Sequence, residues 1–288
     1  MGVDDTMRKL NYHYSMQLSF SEPVNRHHFT LRCFPKENER QRIDEQHVNI
    51  EPSYAGGMET DSFGNQCIYG LIEKAHMRFT VDVTGLAYVY DDIYQSVEEP
   101  HRIGMFRYHT KLTEQGPAIQ SIYERCGDKG FYEKNVGSLI GIKDFIKNSS
   151  DTLDRAYHMM NIVFHSLIYE PGVTGVRTTA EEALQCGKGV CQDYAHILLT
   201  LLRMEHIPCR YVVGMMSGEG ASHAWVEVCD GEKWVALDPT NNCMVDDHYI
   251  CISCGRDAND CTINQGYFYG SPKQTQEIHV LVEEGKND

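Results

Sequence analysis

The sequence predicts an α+β fold, in which an antiparallel β module precedes a core of helices and strands. Apolar and polar residues alternate with period two over the first third of the chain, and helical spacing begins near residue 136. With 288 residues, the chain has room for two ordinary domains. We therefore predict an N-terminal β-rich domain over 1–135, a core over 136–270, and a C-terminal strand and tail over 271–288.

The first domain is predicted from alternating segments that are separated by turns. Residues 13–20 and 77–83 alternate as strands with one buried face do. Between them, residues 51–57 and 61–65 are rich in Gly, Asn, Asp and Ser, which favour turns. A final alternating segment, 275–284, is a candidate to join the sheet of this first domain.

In the core, the apolar residues of 152–168 recur with helical spacing, which predicts a helix with one buried face. Thr178 and Thr179 then precede a short helical segment and suit its N-cap. From Arg210 onward the pattern is again that of strands. The core is therefore predicted to pack helices against a sheet.

Acidic side chains outnumber basic ones by 41 to 26, which gives a net charge of −15. Nucleic acids and anionic membranes require a concentrated positive surface, so the composition argues against both partners. Residues 1–10 lack the apolar stretch of a secretory signal, and no apolar run approaches about 18 residues. We expect a cytoplasmic protein, and we make no prediction of its oligomeric state.

The chain has eleven cysteines, an odd number, and without an export signal they should stay reduced. Cys251 and Cys254 have the spacing of a zinc ligand pair, with Cys243 and Cys261 nearby. The segment around them alternates like a strand, however, which predicts opposite faces for Cys251 and Cys254. We therefore predict no metal site and no cofactor; a zinc or thiol-redox protein is the alternative.

Cys191 stands apart because it follows two glycines and opens an apolar helix. Its thiol would lie at the helix N-terminus, where the helix dipole and unpaired N–H groups favour a thiolate. The same N–H groups can bind a developing oxyanion. This placement predicts a nucleophile.

A cysteine nucleophile needs an imidazole, and His223 begins a strand-like segment that ends before Asp230-Gly231. The return strand ends at Asp238. Asp-Gly between alternating segments is a strong hairpin signal. If Asp230 and Gly231 are the two loop residues, His223 lies directly opposite Asp238, close enough for the carboxylate to accept the imidazole N–H; a longer loop would shift this register. Asp238, before Pro239, could instead serve as a turn-forming aspartate.

These segments resemble the core of bacterial transglutaminase-like proteins. The likeness covers roughly residues 137–270, and residues 10–90 resemble more faintly the β-rich region that precedes such cores. The segments that carry it are Thr179 to Leu184, Gly189 to His196, Gly214, His223 to Glu227, Leu237 to Asn241, Asp247 to Ile250 and Gly255 to Asp257.

The resemblance implies a papain-like arrangement, in which a helix bearing Cys packs on a sheet bearing His and Asp. Cys191, His223 and Asp238 fall at the positions of the family's triad. The implied chemistry is thiolate attack on an amide, a thioester intermediate, and release to water or an amine.

The expected partner is a peptide or protein amide, with an amine acceptor if the reaction is transamidation. We favour peptide or isopeptide hydrolysis, as in a cysteine protease, because transamidation requires a site that excludes water. The alternative is a non-catalytic binding module on the same fold. The sequence contains no calcium loop of the Asp-x-Asp-x-Asp-Gly type, so calcium dependence is not implied.

Four further residues are candidates for positions in or near the site. Gln185 and Tyr169 are candidates for a second oxyanion donor, with Gln185 more consistent with a surface helix position. His196 lies about 140° around the helix from Cys191, which argues against a direct role. Trp225 is expected in the core or the cleft wall.

Overall fold

The computed structural model describes residues 7–91, 94–97, 100–126 and 151–285. The predicted domain boundary near residue 136, and the helical pattern predicted to begin there, lie outside these ranges. The division between residues 135 and 136 therefore stays a prediction.

Most strands lie before residue 97 and after residue 208, and the helices lie between them, as the sequence pattern indicates. The strands are β1 (Met7–Leu31), β2 (Gln41–Glu51), β3 (Ala55–Thr60), β4 (Gln66–Ile72), β5 (His76–Tyr90), β6 (Tyr94–Ser96), β7 (Ile168–Tyr169), β8 (Lys188–Gly189), β9 (Cys209–Met216), β10 (Gly218–Gly220), β11 (His223–Cys229), β12 (Lys233–Asp238), β13 (Cys243–Met244), β14 (Tyr249–Gly255), β15 (Asn264–Tyr269) and β16 (Gln274–Glu284). The α-helices are α1 (Pro117–Cys126), α2 (Asp151–Phe164), α3 (Ala180–Cys186) and α4 (Cys191–Met204), and two 3-10 helices span Pro100–Arg107 and Lys111–Thr113.

Within the described residues, β1 is the centre of an eight-stranded antiparallel sheet that also contains β2 to β5, β10, β15 and β16. The first half of β1 pairs with β5 on one side and β16 on the other. Tyr14, Met16, Leu18 and Phe20 are buried, whereas the residues between them are more exposed. This is the alternation predicted from the sequence, and the C-terminal strand lies in the sheet that was its candidate location.

A second antiparallel sheet has the order β13-β12-β11-β9-β14, with β6 paired to β12. Helix α4 packs on it, and its residues Ala195, Leu198, Leu199 and Leu202 are fully buried, as the apolar stripe predicts. Burying one such large aliphatic side chain stabilises the fold by about 1.5 to 3 kcal/mol. The α4–sheet contact therefore fixes where the N-terminus of α4 meets β11.

Helix α3 precedes β8 and α4, and its two ends are well defined. Thr179 is its N-cap: its side chain accepts the N–H of Glu182, and the Glu182 carboxylate accepts the N–H of Thr179. The helix ends at Gly187, which has the left-handed conformation (φ 69°) that glycine adopts without strain. The chain then reverses into β8, immediately before Cys191.

Both sheets and the helices contribute to one contiguous hydrophobic core. No helix among the described residues has the length and apolar character needed to cross a membrane.

Candidate active site

Cys191 is the first residue of α4 and is half-buried. It follows β8, which pairs in parallel with β7. Asp193 fixes this helix start, since its Oδ2 accepts the backbone N–H of Val190 (2.8 Å) and the hydroxyl of Thr174 (2.6 Å). Asp193 therefore caps the start of α4.

The glycine before this turn is required by space. A Cβ on Gly189 would lie 2.7 Å from the Cβ of Asp193, closer than two carbons can approach. Gly189 thus permits the tight passage from β8 into α4 that presents Cys191 at the helix N-terminus.

His223 and Asp238 are brought together at the ends of β11 and β12. Nε2 of His223 lies 2.7 Å from Oδ2 of Asp238. The Asp238 side chain is fully buried, whereas 12% of the His223 side chain remains exposed. Cys191 lies close enough to His223 to be one of the causes that raise the pKa of the imidazole. Because Nε2 is engaged by Asp238, the imidazole nitrogen available to Cys191 is Nδ1.

Asp238 is held by hydrogen bonds on both oxygens. Its Oδ1 accepts the N–H groups of Thr240 (2.8 Å) and Asn241 (3.2 Å), and its Oδ2 accepts the Asn241 side-chain amide (2.7 Å) and the Tyr249 hydroxyl (2.9 Å). The aspartate therefore forms the turn considered from the sequence and bonds His223 as well. Burial alone would raise the pKa of Asp238, but the bond to His223, its charge and the other donors together lower it.

The charge state of His223 follows from the same contacts. Burial opposes a charged imidazole, but the hydrogen bond to Asp238 and the negative charges of Asp238 and Cys191 outweigh it and raise the pKa of His223 to about 10. Near neutral pH the imidazolium is therefore the favoured form. A positive imidazole beside a thiol favours the thiolate.

The predicted hairpin register is wrong by two residues. Val226 pairs with Leu237 and Cys229 with Trp234, which places His223 diagonal to Asp238 instead of opposite it. The cause is the turn, since Oδ1 of Asp230 accepts the N–H groups of both Glu232 and Lys233. Asp230 therefore lies opposite Lys233, just beyond the end of β11. Gly231, at φ 113°, is the first of the two turn residues. The two side chains still meet, since diagonal neighbours are within reach of a long ring.

The sequence interpretation missed the roles of Tyr249 and Asn241. Tyr249 is buried at the start of β14, and its ring packs edge-on against Trp225 with centroids 5.5 Å apart. Both residues lie in segments that carry the family resemblance, but no local pattern indicates that they bond Asp238. Trp225 itself is 2% exposed and forms the wall behind His223, as expected.

Of the remaining candidates, Tyr169 lies near Cys191, whereas Gln185 and His196 have other contacts. Gln185 is exposed and donates to Glu181 (2.7 Å), which agrees with a surface helix position. His196 is fully buried and accepts the N–H of Ala258. Tyr169, in contrast, is about half exposed on β7. Partial burial raises the pKa of its phenol, and the charge of Cys191 raises this pKa further. Tyr169 is therefore the one of the two oxyanion candidates that lies near Cys191.

The late cysteines differ from the prediction in one respect. A β-bulge between Cys251 and Ser253 makes Cys251 pair with Gly214 and Cys254 with Val212, so both cysteines lie on one face. The prediction of opposite faces is wrong because strict alternation fails at a bulge. Among the described residues, the groups that could converge on a metal ion are Asp246, Asp247 and His248, and Asp247 also pairs with Arg8 (3.0 Å).

Comparison with protein families gives two matches. Residues 10–87 match the bacterial transglutaminase-like N-terminal region, and residues 142–239 match the core of the transglutaminase-like superfamily. The chain therefore contains a transglutaminase-like core, preceded by the N-terminal region of the bacterial transglutaminase-like proteins. The resemblance inferred from the sequence is thus confirmed, and Cys191, His223 and Asp238 all lie within the matched core.

Relatives of this transglutaminase-like chain occur in mycobacteria. An uncharacterized protein of Mycobacterium leprae is 38% identical over 127 residues, 41% of this chain and 44% of that protein, so the match spans less than half of its length. Uncharacterized proteins of Mycobacterium bovis and Mycobacterium tuberculosis are 25% identical over 270 residues, 82% of this chain and 79% of each.

A solved structure from Cytophaga hutchinsonii, whose name assigns it provisionally as a cysteine protease, superposes with a TM-score of 0.72. It is 17% identical and the match covers 99% of this chain and 93% of that one. At this identity the likeness establishes the fold, and it confirms the predicted α+β transglutaminase-like architecture.

Proposed function

We propose that this chain is a thiol-dependent enzyme that cleaves or transfers the acyl group of a peptide amide. Cys191 is the nucleophile, His223 the acid and base, and Asp238 the residue that orients His223. The observation that carries the proposal is the position of the His223 imidazole, whose Nε2 lies 2.7 Å from Asp238 and whose pKa is raised by Asp238 and by the nearby Cys191. The provisional cysteine protease name of the Cytophaga hutchinsonii neighbour agrees with it.

The reaction begins with attack of the Cys191 thiolate on the amide carbonyl, which forms a C–S bond and a tetrahedral oxyanion. Nδ1 of the His223 imidazolium gives its proton to the amide nitrogen, the C–N bond breaks, and the amine leaves. Water, deprotonated by the now neutral His223, then attacks the thioester. The C–S bond then breaks, the carboxylic acid leaves, and the proton that His223 took from water restores the pair of His223 imidazolium and Cys191 thiolate.

Two donors are proposed for the oxyanion. The first is the backbone N–H of Cys191, which as the first residue of α4 has no intrahelical partner. The second is the hydroxyl of Tyr169, which lies close enough to Cys191 for the charge of Cys191 to raise its pKa. Hydrolysis is proposed over transamidation because Cys191 is half-buried and open to water.

The first test is the pH dependence of alkylation by iodoacetamide, read by peptide mass spectrometry. Cys186 is the matched control, because it is exposed and precedes the same helix by only a few residues. An ordinary thiol near pKa 8.5 is almost entirely protonated at about pH 6, so a stable Cys191 thiolate should react roughly 10- to 100-fold faster than Cys186.

His223→Ala should remove this advantage and leave Cys186 unchanged. If Cys191 has the same pH profile as Cys186 in the wild-type protein, the proposal fails, and the non-catalytic binding module becomes the better interpretation.

A further inference from the structure

Four exposed apolar side chains lie in β7 and in the segment that connects it to α3. Ile168 is 64% exposed and Val176 is 76% exposed, and Tyr169 and Val173 between them are also exposed. All four lie in one short stretch, 168–176, that comes just before α3. Water-exposed apolar groups that cluster in this way mark binding surfaces more often than isolated ones do.

This stretch is fixed to the start of the nucleophile helix. Tyr169 pairs with Gly189, two residues before Cys191. The Thr174 hydroxyl donates to Asp193 (2.6 Å), two residues after Cys191, and the Gln192 amide reaches the carbonyl of Gly175 (3.4 Å). These contacts therefore hold the backbone of 168–175 at a constant position beside the N-terminal turn of α4.

A further apolar group lies on the Asp238 side of the site. Met216 is partly exposed at the end of β9, and its sulfur lies 3.8 Å from the side-chain nitrogen of Asn241. Asn241 in turn donates to Asp238. Asn241 thus links Met216 to the Asp238 end of the site.

Charge is scarce in the same stretch, although the chain carries a net charge of −15. Glu170 pairs with Lys188 (2.7 Å), which cancels one carboxylate. Arg177, at the end of the stretch, is the other charged residue of 168–178. Residues 168–178 therefore offer little electrostatic attraction to a basic side chain and several exposed apolar groups to an uncharged one.

We propose that residues 168–176 bind an apolar side chain of an extended peptide, next to the carbonyl that Cys191 attacks. This inference rests on the proposed function and names its substrate class. Filling such a surface with a large aliphatic group should favour leucine over glycine at that position by about 10- to 100-fold.

The test uses peptidyl chloromethyl ketones, which alkylate an active-site thiolate and differ in one side chain. The reagents are acetyl-Ala-Leu, acetyl-Ala-Gly and acetyl-Ala-Asp chloromethyl ketone, and the readout is the rate of Cys191 labelling. The leucine reagent should react about 10- to 100-fold faster than the glycine reagent, and the aspartate reagent no faster than glycine. The ratio of two reagents on one protein cancels any change in the thiolate itself.

Val176→Asp and Ile168→Asp should each lower the leucine-to-glycine ratio several-fold, whereas Val48→Asp, on β2 of the other sheet, should preserve it. If the wild-type ratio is near one, or if neither 168–176 variant changes it, the proposed surface is overturned. That result is distinct from failure of the proposed function, in which Cys191 would show no advantage over Cys186 toward iodoacetamide.

Discussion

Two histidines in different parts of this molecule have opposite charge preferences. His223 in the transglutaminase-like core lies 2.7 Å from Asp238, and its pKa is raised to about 10. His27 in the N-terminal sheet lies 3.2 Å from the ring of His76, and burial, followed by the charge of His76, lowers its pKa to about 4. Both rings are largely shielded from water, so burial alone does not explain the difference.

The partner explains it. His76 donates from Nδ1 to the carbonyl of Lys74 (2.9 Å), which leaves Nε2 as an acceptor for the Nδ1–H of His27. His27 is therefore satisfied as a neutral imidazole, and the rings of Phe20, Phe29, Phe79 and Phe268 surround it without supplying charge. At His223 a carboxylate outweighs the same desolvation. A buried histidine is thus a structural or a chemical element according to its nearest polar atom.

The largest expected effect comes from removing that carboxylate. Asp238→Asn should leave His223 in an environment like that of His27, so its pKa should fall and the thiolate of Cys191 should lose its counterion. At about pH 6 we expect the alkylation rate of Cys191 to fall about 100-fold, toward that of an ordinary thiol. The measurement is the pH profile of labelling by iodoacetamide.

Asp246→Asn, in an exposed position of the following loop, is the control and should leave the profile unchanged. A normal profile in Asp238→Asn would mean that the imidazolium does not depend on this aspartate, and the comparison with His27 would lose its explanation.

A second prediction concerns the neutral pair. The folded pKa of His27 is depressed below its ordinary value near 6.5, so the unfolded chain binds a proton more readily. Stability from this group is therefore fully present above about pH 6.5 and declines as the pH falls toward 4, by roughly 2 kcal/mol at about pH 5. His27→Asn keeps a hydrogen-bond donor for His76 but cannot titrate. In urea unfolding between about pH 7 and 5, the free energy of unfolding of this variant should therefore fall less than that of the wild-type protein.

His47→Asn, an exposed histidine in the same sheet, should retain the wild-type decline. Equal slopes in wild type and His27→Asn would show that His27 is not the group whose protonation opposes folding.

The sequence contained enough to predict the helix that begins at Cys191 but not the whole site. Glycines, a helix start and an apolar stripe are local signals, and they placed Cys191 correctly at the N-terminus of α4. The hairpin register depended on whether Asp230 turns or extends, and that choice is made by two side-chain hydrogen bonds that no pattern of apolar residues records.

The donors to Asp238 were missed for a related reason. Tyr249 reaches Asp238 from β14, a strand that joins the sheet on the far side of β9. Its contact is therefore a consequence of tertiary packing, and in the sequence Tyr249 is simply an apolar-patterned strand residue. The fold class, by contrast, follows from periodicity over many residues and was predicted correctly.

The smallest expected effect is that of removing the Tyr249 hydroxyl. It measures how much one donor to Asp238 contributes to the charge state of His223. Tyr249→Phe keeps the ring against Trp225 and removes one of the donors to Oδ2 of Asp238, which still has Asn241 and His223. Because no buried group loses its last partner, the alkylation rate at about pH 6 should fall only about threefold.

The pH profile should separate this positioning role from mere packing. Tyr249 is one cause of the lowered pKa of Asp238, so its loss should move the acid limb of the Cys191 profile to higher pH. Tyr108→Phe, at a largely exposed tyrosine, should leave the limb in place. An effect as large as that of Asp238→Asn would mean that the phenol does more than hold the carboxylate, since a hydrogen bond from one of several donors cannot by itself decide whether His223 is charged.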